Sequence, residues 1–87
     1  MSIQAKLAAG AVILDVRTRE EFAGGAYPGA LHIPVQELPQ RLGEVPRDKP
    51  VVIYCAAGGR AGAAAKLLQQ AGFADVSNAG GLCDMPG

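Results

Sequence analysis

The segment from Pro50 to Gly72 constrains the fold more than any other part of the chain. Pro50 to Tyr54 is an unbroken apolar run, which is typical of a strand buried on both faces of a sheet. A glycine-containing loop follows from Cys55 to Arg60, and Ala61 to Ala71 is then rich in helix formers. This order of strand, loop and helix predicts one unit of a parallel sheet with a covering helix.

The rest of the chain repeats the alternation of strands and helices. The first predicted elements are an opening helix over Ile3 to Ala9 and a buried strand over Ala11 to Asp15. A short helix then starts from a capping box at Thr18 to Glu21 and ends at Gly24-Gly25, and a brief strand follows over Ala30 to Ile33. We also predict a helical stretch from Pro34 toward Leu42 despite Pro39, and a last strand over Ala74 to Ser77 before a turn at Asn78 to Gly81. The alternation predicts an α/β fold with a small parallel sheet and helices on both faces.

The overall charge excludes whole classes of partner. Eight Lys and Arg residues balance eight Asp and Glu residues, so the basic footprint of a nucleic-acid or membrane binder is missing. No apolar signal region follows a basic N-terminal stretch, so we expect a cytoplasmic protein. The length of 87 residues suffices for one core, and we predict one domain over residues 1–87.

The cysteines point to free thiols rather than to a metal site. Cys55 and Cys83 lie too far apart for a C-x-x-C redox pair, and with His32 they are too few for zinc. No motif for a metal, a nucleotide or an organic cofactor occurs, so no cofactor is expected. A structural disulfide between Cys55 and Cys83 is the alternative, which a cytosolic setting disfavours.

Cys55 lies where chemistry is expected in a parallel sheet. Ligands bind beyond the carboxyl ends of strands, where loops run into helix N-termini. Several backbone N–H groups and the positive end of the helix dipole meet there, and they stabilise an anion such as a thiolate. The sequence therefore predicts that Cys55 has a lowered pKa and acts as a nucleophile without a partner base.

The residues after Cys55 fit the same interpretation. Gly58 and Gly59 allow the backbone conformations that turn successive N–H groups inward. Arg60 opposes the helix dipole in the first turn, which is explained if it faces an anionic substrate. In the alternative interpretation Cys55 is a core thiol, the glycines form a connection and Arg60 is solvated.

The loop also carries a resemblance to a known family. Cys55-Ala-Ala-Gly-Gly-Arg60, followed by Ala61, resembles the C-x-x-G-x-R active-site loop of rhodanese-like domains. Further segments that resemble the family are Leu14 to Arg17 with Glu20 to Phe22, Pro28 to Pro34, and Asn78 to Leu82. The similarity covers the chain from about residue 11, and it is greatest to small stand-alone sulfurtransferases of the phage-shock type.

Two features depart from the family pattern. The common Gly-His-Ile-Pro-Gly-Ala stretch reads Gly25 to Ala30 here, with Ala26 in place of the histidine. We interpret this change as structural, because sulfur transfer through a thiolate does not need that imidazole. The phage-shock-type proteins carry an export signal that this sequence does not show, so their localisation is not transferred.

The resemblance implies a rhodanese-type thiosulfate sulfurtransferase with a persulfide intermediate. The Cys55 thiolate would take the outer sulfur of a donor such as thiosulfate and pass it to a thiophilic acceptor, which is a small molecule such as cyanide or a protein thiol. The residues expected to bind the donor and the persulfide are Ala56, Ala57, Gly58, Gly59, Arg60 and Ala61. Arg60 would orient the sulfonate oxygens of the donor.

Two other functions remain open. A phosphatase or arsenate reductase would hold an oxyanion above Cys55 in a related loop, with Asp84 as the general acid. Phosphatase loops read C-x5-R, however, and are one residue longer than the loop of this chain. A sulfur-relay or regulatory binding module would receive sulfur on Cys55 from a protein donor. Cys83 follows the Gly80-Gly81 segment, which is expected to pass near the loop, and it either resolves the Cys55 persulfide or simply fills a turn.

Four further side chains invite a role. Asp15 and Arg17 follow a buried strand and are expected to pair as scaffold, with a contribution to the field at the site as the alternative. His32 is predicted to be the exposed residue of a short strand, with a role as general base as the alternative. Tyr54 is predicted to pack with its hydroxyl in water.

Overall fold

The computed structural model describes residues 2–86. Its helices and strands follow the predicted alternation: α1 (Ile3–Ala8), β1 (Val12–Asp15), α2 (Arg19–Ala23), β2 (Leu31–His32), β3 (Val51–Cys55), α3 (Gly59–Gln70) and β4 (Val76–Gly81). Three short 3₁₀ turns complete the elements, at Leu38–Gln40, Leu42–Glu44 and Leu82–Asp84. The predicted capping box of α2 is confirmed, because Thr18 and Glu21 exchange hydrogen bonds between side chain and backbone.

The four strands form one parallel sheet in the order β2-β1-β3-β4. The two central strands bring the end of β1 beside the end of β3, with Asp15 opposite Tyr54 in the register. All strands run in one direction, so the carboxyl ends of β1, β3 and β4 meet at the same edge. The predicted α/β fold with a small parallel sheet is confirmed.

Apolar side chains cover both faces of the sheet. On one face, α3 packs its small residues Ala61, Ala64 and Ala65 together with Leu68 into a core that includes Cys55. On the other face, Ile3 and Leu7 of α1 pack around a second core of Val52, Tyr54 and Met85. Alternating residues of β3 supply both cores, which explains why the sequence of this strand is apolar throughout.

The helix predicted from Pro34 to Leu42 is wrong. The structure has two separate 3₁₀ turns there, at Leu38–Gln40 and Leu42–Glu44. Pro39 lies within the first turn, and its missing N–H prevents a continuous ladder of helical hydrogen bonds through that position.

The turn predicted at Asn78 to Gly81 is also wrong, because β4 continues to Gly81. The pairing with β3 changes register between Ile53, which is opposite Asn78, and Cys55, which is opposite Gly81. Strand β4 thus has one extra residue in this interval, and Gly80 has a φ of +94°. The glycines that suggested a turn allow a bulge within a strand.

The structure contains no candidate for a transmembrane helix within residues 2–86. None of the helices in that range is both long enough and apolar enough to span a bilayer.

Candidate active site

The candidate active-site loop, Cys55 to Arg60, joins β3 to α3. Cys55 is the last residue of β3 and α3 begins at Gly59, so Ala56 to Gly58 form the whole connection. Gly58 has a φ of +99°, in the left-handed region that glycine adopts without the steric cost of a Cβ atom. The backbone therefore turns tightly around the Cys55 side chain.

The Cys55 thiol lies inside this turn and accepts hydrogen bonds from the backbone. The N–H of Gly58 donates to Sγ over 2.9 Å, and the N–H of Ala61 donates over 3.4 Å. Cys55 is only 1% exposed. The first turn of α3 adds the positive end of its dipole at the same place. The structure thus brings the predicted nucleophile and the predicted loop together.

Two opposing effects act on the ionisation of the thiol. Burial raises the pKa of Cys55, whereas hydrogen bonds from the N–H groups of Ala61, Ala57, Gly58 and Arg60 lower it by more in total. The pKa of Cys55 therefore lies below the usual value for a cysteine thiol. The lower pKa increases the fraction of reactive thiolate at neutral pH.

The end of β4 packs against the backbone of the Cys55 to Arg60 loop. A Cβ atom on Gly81 would overlap the carbonyl oxygen of Ala56, and one on Gly58 would lie 3.3 Å from the Cα of Gly80. Backbone therefore packs directly on backbone where a larger residue would not fit. The expectation that the Gly80-Gly81 segment passes near the loop is confirmed.

Asn78 ties β4 to the loop and was not predicted as a site residue. Its side-chain Nδ2 donates to the carbonyl oxygen of Gly58 over 3.1 Å, and its Oδ1 accepts from the N–H of Gly80 over 2.8 Å. The residue that donates to Cys55 is thus held by a side chain from the neighbouring strand. The sequence signal was present, since Asn78 opens the segment that resembles the family's closing motif, but it was interpreted as a turn.

Arg60 was expected to face an anionic donor, and the structure shows it paired with a carboxylate. Its Nη1 and Nη2 donate to the two carboxylate oxygens of Glu21 over 2.6 and 3.0 Å. Glu21 was predicted only as part of the α2 capping box. No local pattern predicts the ion pair, because its partners are 39 residues apart in the sequence.

Asp15 and Arg17 form a buried ion pair, as their scaffold interpretation predicted. The Asp15 carboxylate accepts from the Arg17 guanidinium over 2.7 Å and from the Tyr54 hydroxyl over 2.6 Å. Arg17 also donates to the carbonyl oxygen of Gly25. Tyr54 and Cys55 are successive residues of a strand, so this network lies on the face of the sheet opposite the thiol. A contribution of the pair to the field at Cys55 stays a prediction.

Comparison with known proteins decides the family. The profile described as "Rhodanese-like domain" matches residues 2–82. The chain belongs to the rhodanese-like domain family. The match extends through the Cys55 to Arg60 loop, and it confirms the resemblance that this segment carries.

Named relatives of this rhodanese-like domain include sulfurtransferases. It is 42% identical over 67 residues to a sulfurtransferase of Allochromatium vinosum, which covers 77% of this chain and 63% of that protein. It is 38% identical over 74 residues to the thiosulfate sulfurtransferase PspE of Escherichia coli, which covers 83% of this chain and 71% of PspE. The matched part of the first relative is thus slightly less than two thirds of its length.

A solved structure supports the fold. The rhodanese-like domain superimposes on a structure described as "rhodanese with anions from E. coli" with a TM-score of 0.81 and 34% identity, which covers 88% of this chain and 95% of that one. The similarity therefore extends over almost the whole of both chains.

Two sequence predictions about other side chains of the rhodanese-like domain are wrong. The Tyr54 hydroxyl is buried, because it donates to Asp15 and accepts from the N–H of Tyr27 over 3.0 Å. His32 is half-buried rather than exposed: its ring stacks on that of Phe22 with 4.3 Å between centroids. Both side chains have partners on other elements of the fold, and the alternation of residues within one strand does not predict such partners.

The remaining candidates lie in the turn after β4. Asp84 accepts from the N–H of Gly81 over 2.7 Å, so its carboxylate supports the bulged end of β4. Cys83 is a free and exposed thiol, whereas Cys55 is free and buried. A role of Cys83 in resolving a persulfide stays a prediction.

We expect Asn78→Ala to raise the pKa of Cys55, because the carbonyl of Gly58 loses its hydrogen bond from Asn78 and the N–H of the same residue then donates to the thiolate from a less fixed position. The rate of alkylation by iodoacetamide as a function of pH measures this value in a Cys83→Ser background. Gln70→Ala, which removes an exposed amide from α3, is the matched control. An unchanged pKa in Asn78→Ala would show that the loop holds its shape without Asn78.

Proposed function

We propose that this chain is a sulfurtransferase that moves sulfane sulfur from thiosulfate or a related donor to a thiophilic acceptor through a persulfide on Cys55. The observation that carries the proposal is the Cys55 Sγ enclosed by the N–H groups of Gly58 and Ala61 at the start of α3. The relatives named as sulfurtransferases, with PspE named for thiosulfate, support the same reaction.

The first half-reaction is an attack of the Cys55 thiolate on the outer sulfur of the donor. With thiosulfate, a bond forms between Sγ and the outer sulfur, and the bond between that sulfur and the sulfonate group breaks. Sulfite leaves with the electron pair of the broken bond. The product on the protein is the Cys55 persulfide anion, so no other oxidant or reductant is needed.

The loop stabilises charge throughout this step. The N–H groups of Gly58 and Ala61 donate to Sγ, and those of Ala57 and Arg60 also lower the pKa of the thiol. The terminal sulfur of a persulfide carries the negative charge one bond farther from Cβ, where these donors and the helix dipole still act on it. Their fixed backbone positions require no reorganisation during the reaction.

The second half-reaction returns the enzyme to its starting state. An acceptor such as cyanide attacks the outer sulfur of the persulfide, thiocyanate forms, and the Cys55 thiolate leaves with the electron pair. The donor product departs before the acceptor reacts, so the kinetics are expected to be ping-pong.

A protein acceptor remains the second candidate for the physiological reaction. Ala56 and Ala57 are exposed at the loop beside the buried thiol. Small neutral residues at this place leave room for a thiol carried by a protein as well as for a small thiophile. A sulfur-relay role would then use the same Cys55 persulfide with a selective partner.

We propose that residues 1–87 act as one rhodanese-like domain in the cytoplasm. Both cysteines are free thiols in the structure, and Cys83 is exposed. A reducing compartment keeps such thiols unpaired, which supports this placement.

The test of the proposed function is mass spectrometry of the protein after treatment with thiosulfate or a persulfide donor. We expect one added sulfur atom, located on the peptide that contains Cys55 and removed by cyanide with formation of thiocyanate. The exposed Cys83 is an internal control, since it lacks the N–H donors of the loop and should hold no stable persulfide. A Cys55 that takes sulfur from neither donor would overturn the proposal, and turnover of p-nitrophenyl phosphate would then favour a phosphatase.

A further inference from the structure

Glu21 neutralises the positive charge of Arg60, which ends the loop that begins at Cys55. Arg60 belongs to the first turn of α3, and both of its terminal nitrogens donate to the Glu21 carboxylate over 2.6 and 3.0 Å. A bidentate pair of this kind fixes the plane and the position of the guanidinium. The charge of Arg60, the last residue of the Cys55 loop, is therefore already compensated.

The Glu21 carboxylate is itself held in place and stays ionised. Its Oε1 accepts from the N–H of Thr18 over 3.0 Å, which completes the capping box of α2. The hydrogen bond from Arg60, followed by that from Thr18, lowers the pKa of Glu21 to about 2. Its negative charge is present over the whole pH range in which the thiol reacts.

The sum of charges around the reacting sulfur is then negative. The Cys55 thiolate and Glu21 contribute two negative charges, whereas Arg60 contributes one positive charge and the N-terminus of α3 about half of one. Asp84, which supports the end of β4, adds a further negative charge. Asp15 and Arg17 on the other face of the sheet form an ion pair that adds no net charge. A donor that brings two negative charges into this site is repelled more than a donor that brings one.

We propose that Glu21 determines donor specificity by pairing with Arg60, so that the site favours sulfane donors with a single negative charge, the organic persulfides and thiosulfonates, over dianionic thiosulfate. This inference rests on the proposed sulfurtransferase function. It identifies Glu21 as a specificity-determining residue that acts through Arg60, not as a residue that contacts the reacting sulfur.

The chemistry with such a donor balances in the same way as with thiosulfate. The Cys55 thiolate attacks the outer sulfur of methanethiosulfonate, the bond from that sulfur to the sulfonyl sulfur breaks, and methanesulfinate leaves with the electron pair. The donor resembles thiosulfate in shape but has a methyl group in place of one charged oxygen. The two donors thus form a matched pair that differs mainly by one charge.

Glu21→Gln is the variant that separates charge from structure. Glutamine serves in a capping box as glutamate does, so its side-chain oxygen can still accept from the Thr18 N–H and preserve the start of α2. The variant frees the Arg60 charge for the donor. Glu20→Gln is the matched control, because Glu20 is exposed on the same helix and its loss changes the net charge equally while Arg60 stays paired.

The experiment compares kcat/KM for thiosulfate and for methanethiosulfonate, with cyanide as the acceptor. We expect Glu21→Gln to increase kcat/KM for thiosulfate about fivefold at low ionic strength, and that for methanethiosulfonate by less than about twofold. Glu20→Gln should leave the ratio of the two constants unchanged. Equal ratios in the wild type and both variants would overturn the inference.

The wild-type protein offers a second test that needs no substitution. Net repulsion predicts that kcat/KM for thiosulfate rises as salt screens the charges, because like charges approach more easily at high ionic strength. A fall with added salt would overturn the inference. Failure of both donors to load Cys55 would instead overturn the proposed function, so the two outcomes are distinguishable.

Discussion

Cys55→Ser is expected to form no persulfide and to lower thiocyanate production from thiosulfate and cyanide by at least about a thousandfold. A serine hydroxyl is not ionised at neutral pH and has no sulfur that could form the S–S bond of the intermediate. The loop should nevertheless keep its shape, because a serine oxygen can accept from the N–H groups of Gly58 and Ala61 that now donate to Sγ. The loss would therefore report on chemistry and not on folding.

Two measurements make this prediction decisive. The melting temperature of Cys55→Ser should lie within a few degrees of the wild-type value, since the two side chains differ by one atom in a buried site. Cys83→Ser is the matched control, and we expect it to retain sulfur loading and turnover. Appreciable activity in Cys55→Ser would move the sulfur-carrying role away from Cys55. A loss of turnover in Cys83→Ser, with Cys55 still loaded with sulfur, would instead support the resolving role of Cys83.

Asp15→Ala is expected to lower the free energy of unfolding by about 4 kcal/mol, because it leaves the buried Arg17 guanidinium without its counter-ion. Arg17 is 6% exposed, and most of its hydrogen bonds go to the Asp15 carboxylate. The Tyr54 hydroxyl would lose its acceptor as well. A domain of this size has a stability of roughly 5–15 kcal/mol, so the variant should melt about 20 °C lower.

The prediction is checked by urea or thermal unfolding, with Asp48→Ala as the control. Asp48 is an exposed aspartate, and its loss should change the stability by less than about half a kcal/mol. Equal stability of the two variants would show that the buried pair contributes little to the fold.

The pH dependence of unfolding is a second test of the ion pair between Asp15 and Arg17. Burial raises the pKa of Asp15, but the hydrogen bonds from Arg17 and Tyr54 lower it by more, so its net shift is downward. A lowered pKa means that the contribution to stability is complete above the usual carboxylate range and is lost as the pH falls through the folded-state value. The wild type and Asp15→Ala should therefore converge in acid, where protonated Asp15 also leaves Arg17 unpaired.

The unit of strand, loop and helix from Pro50 to Gly72 was predictable because neighbouring residues in the sequence specify each of its elements. The apolar run of β3, the glycine at the loop and the alanines of α3 each specify their own element, and the order of the elements specifies a parallel arrangement. The errors fall where a distant part of the chain decides the conformation. The bulge in β4 depends on its pairing with β3, and the sequence alone shows only glycines that also occur in turns.

The same distinction applies to the candidate site. The Cys55 to Arg60 loop could be identified because its residues are contiguous and their chemistry is explicit. Asn78 and Glu21 could not be assigned a part in it, since each reaches the loop from another element and each also fits a local explanation. The burial of Tyr54 was missed for a related reason, because its partner Asp15 lies on the adjacent strand.

The close packing of β4 against the loop limits the directions from which any molecule reaches Cys55. Gly81 contacts the loop backbone on one side, and the start of α3 encloses the thiol on another, so the exposed Ala56 and Ala57 mark the remaining approach. Donor and acceptor would then use the same opening, one after the other. The opening would then have to release the first product before the acceptor enters, and specificity for a new acceptor could evolve by changes in the residues around that opening while the Cys55 loop stays the same.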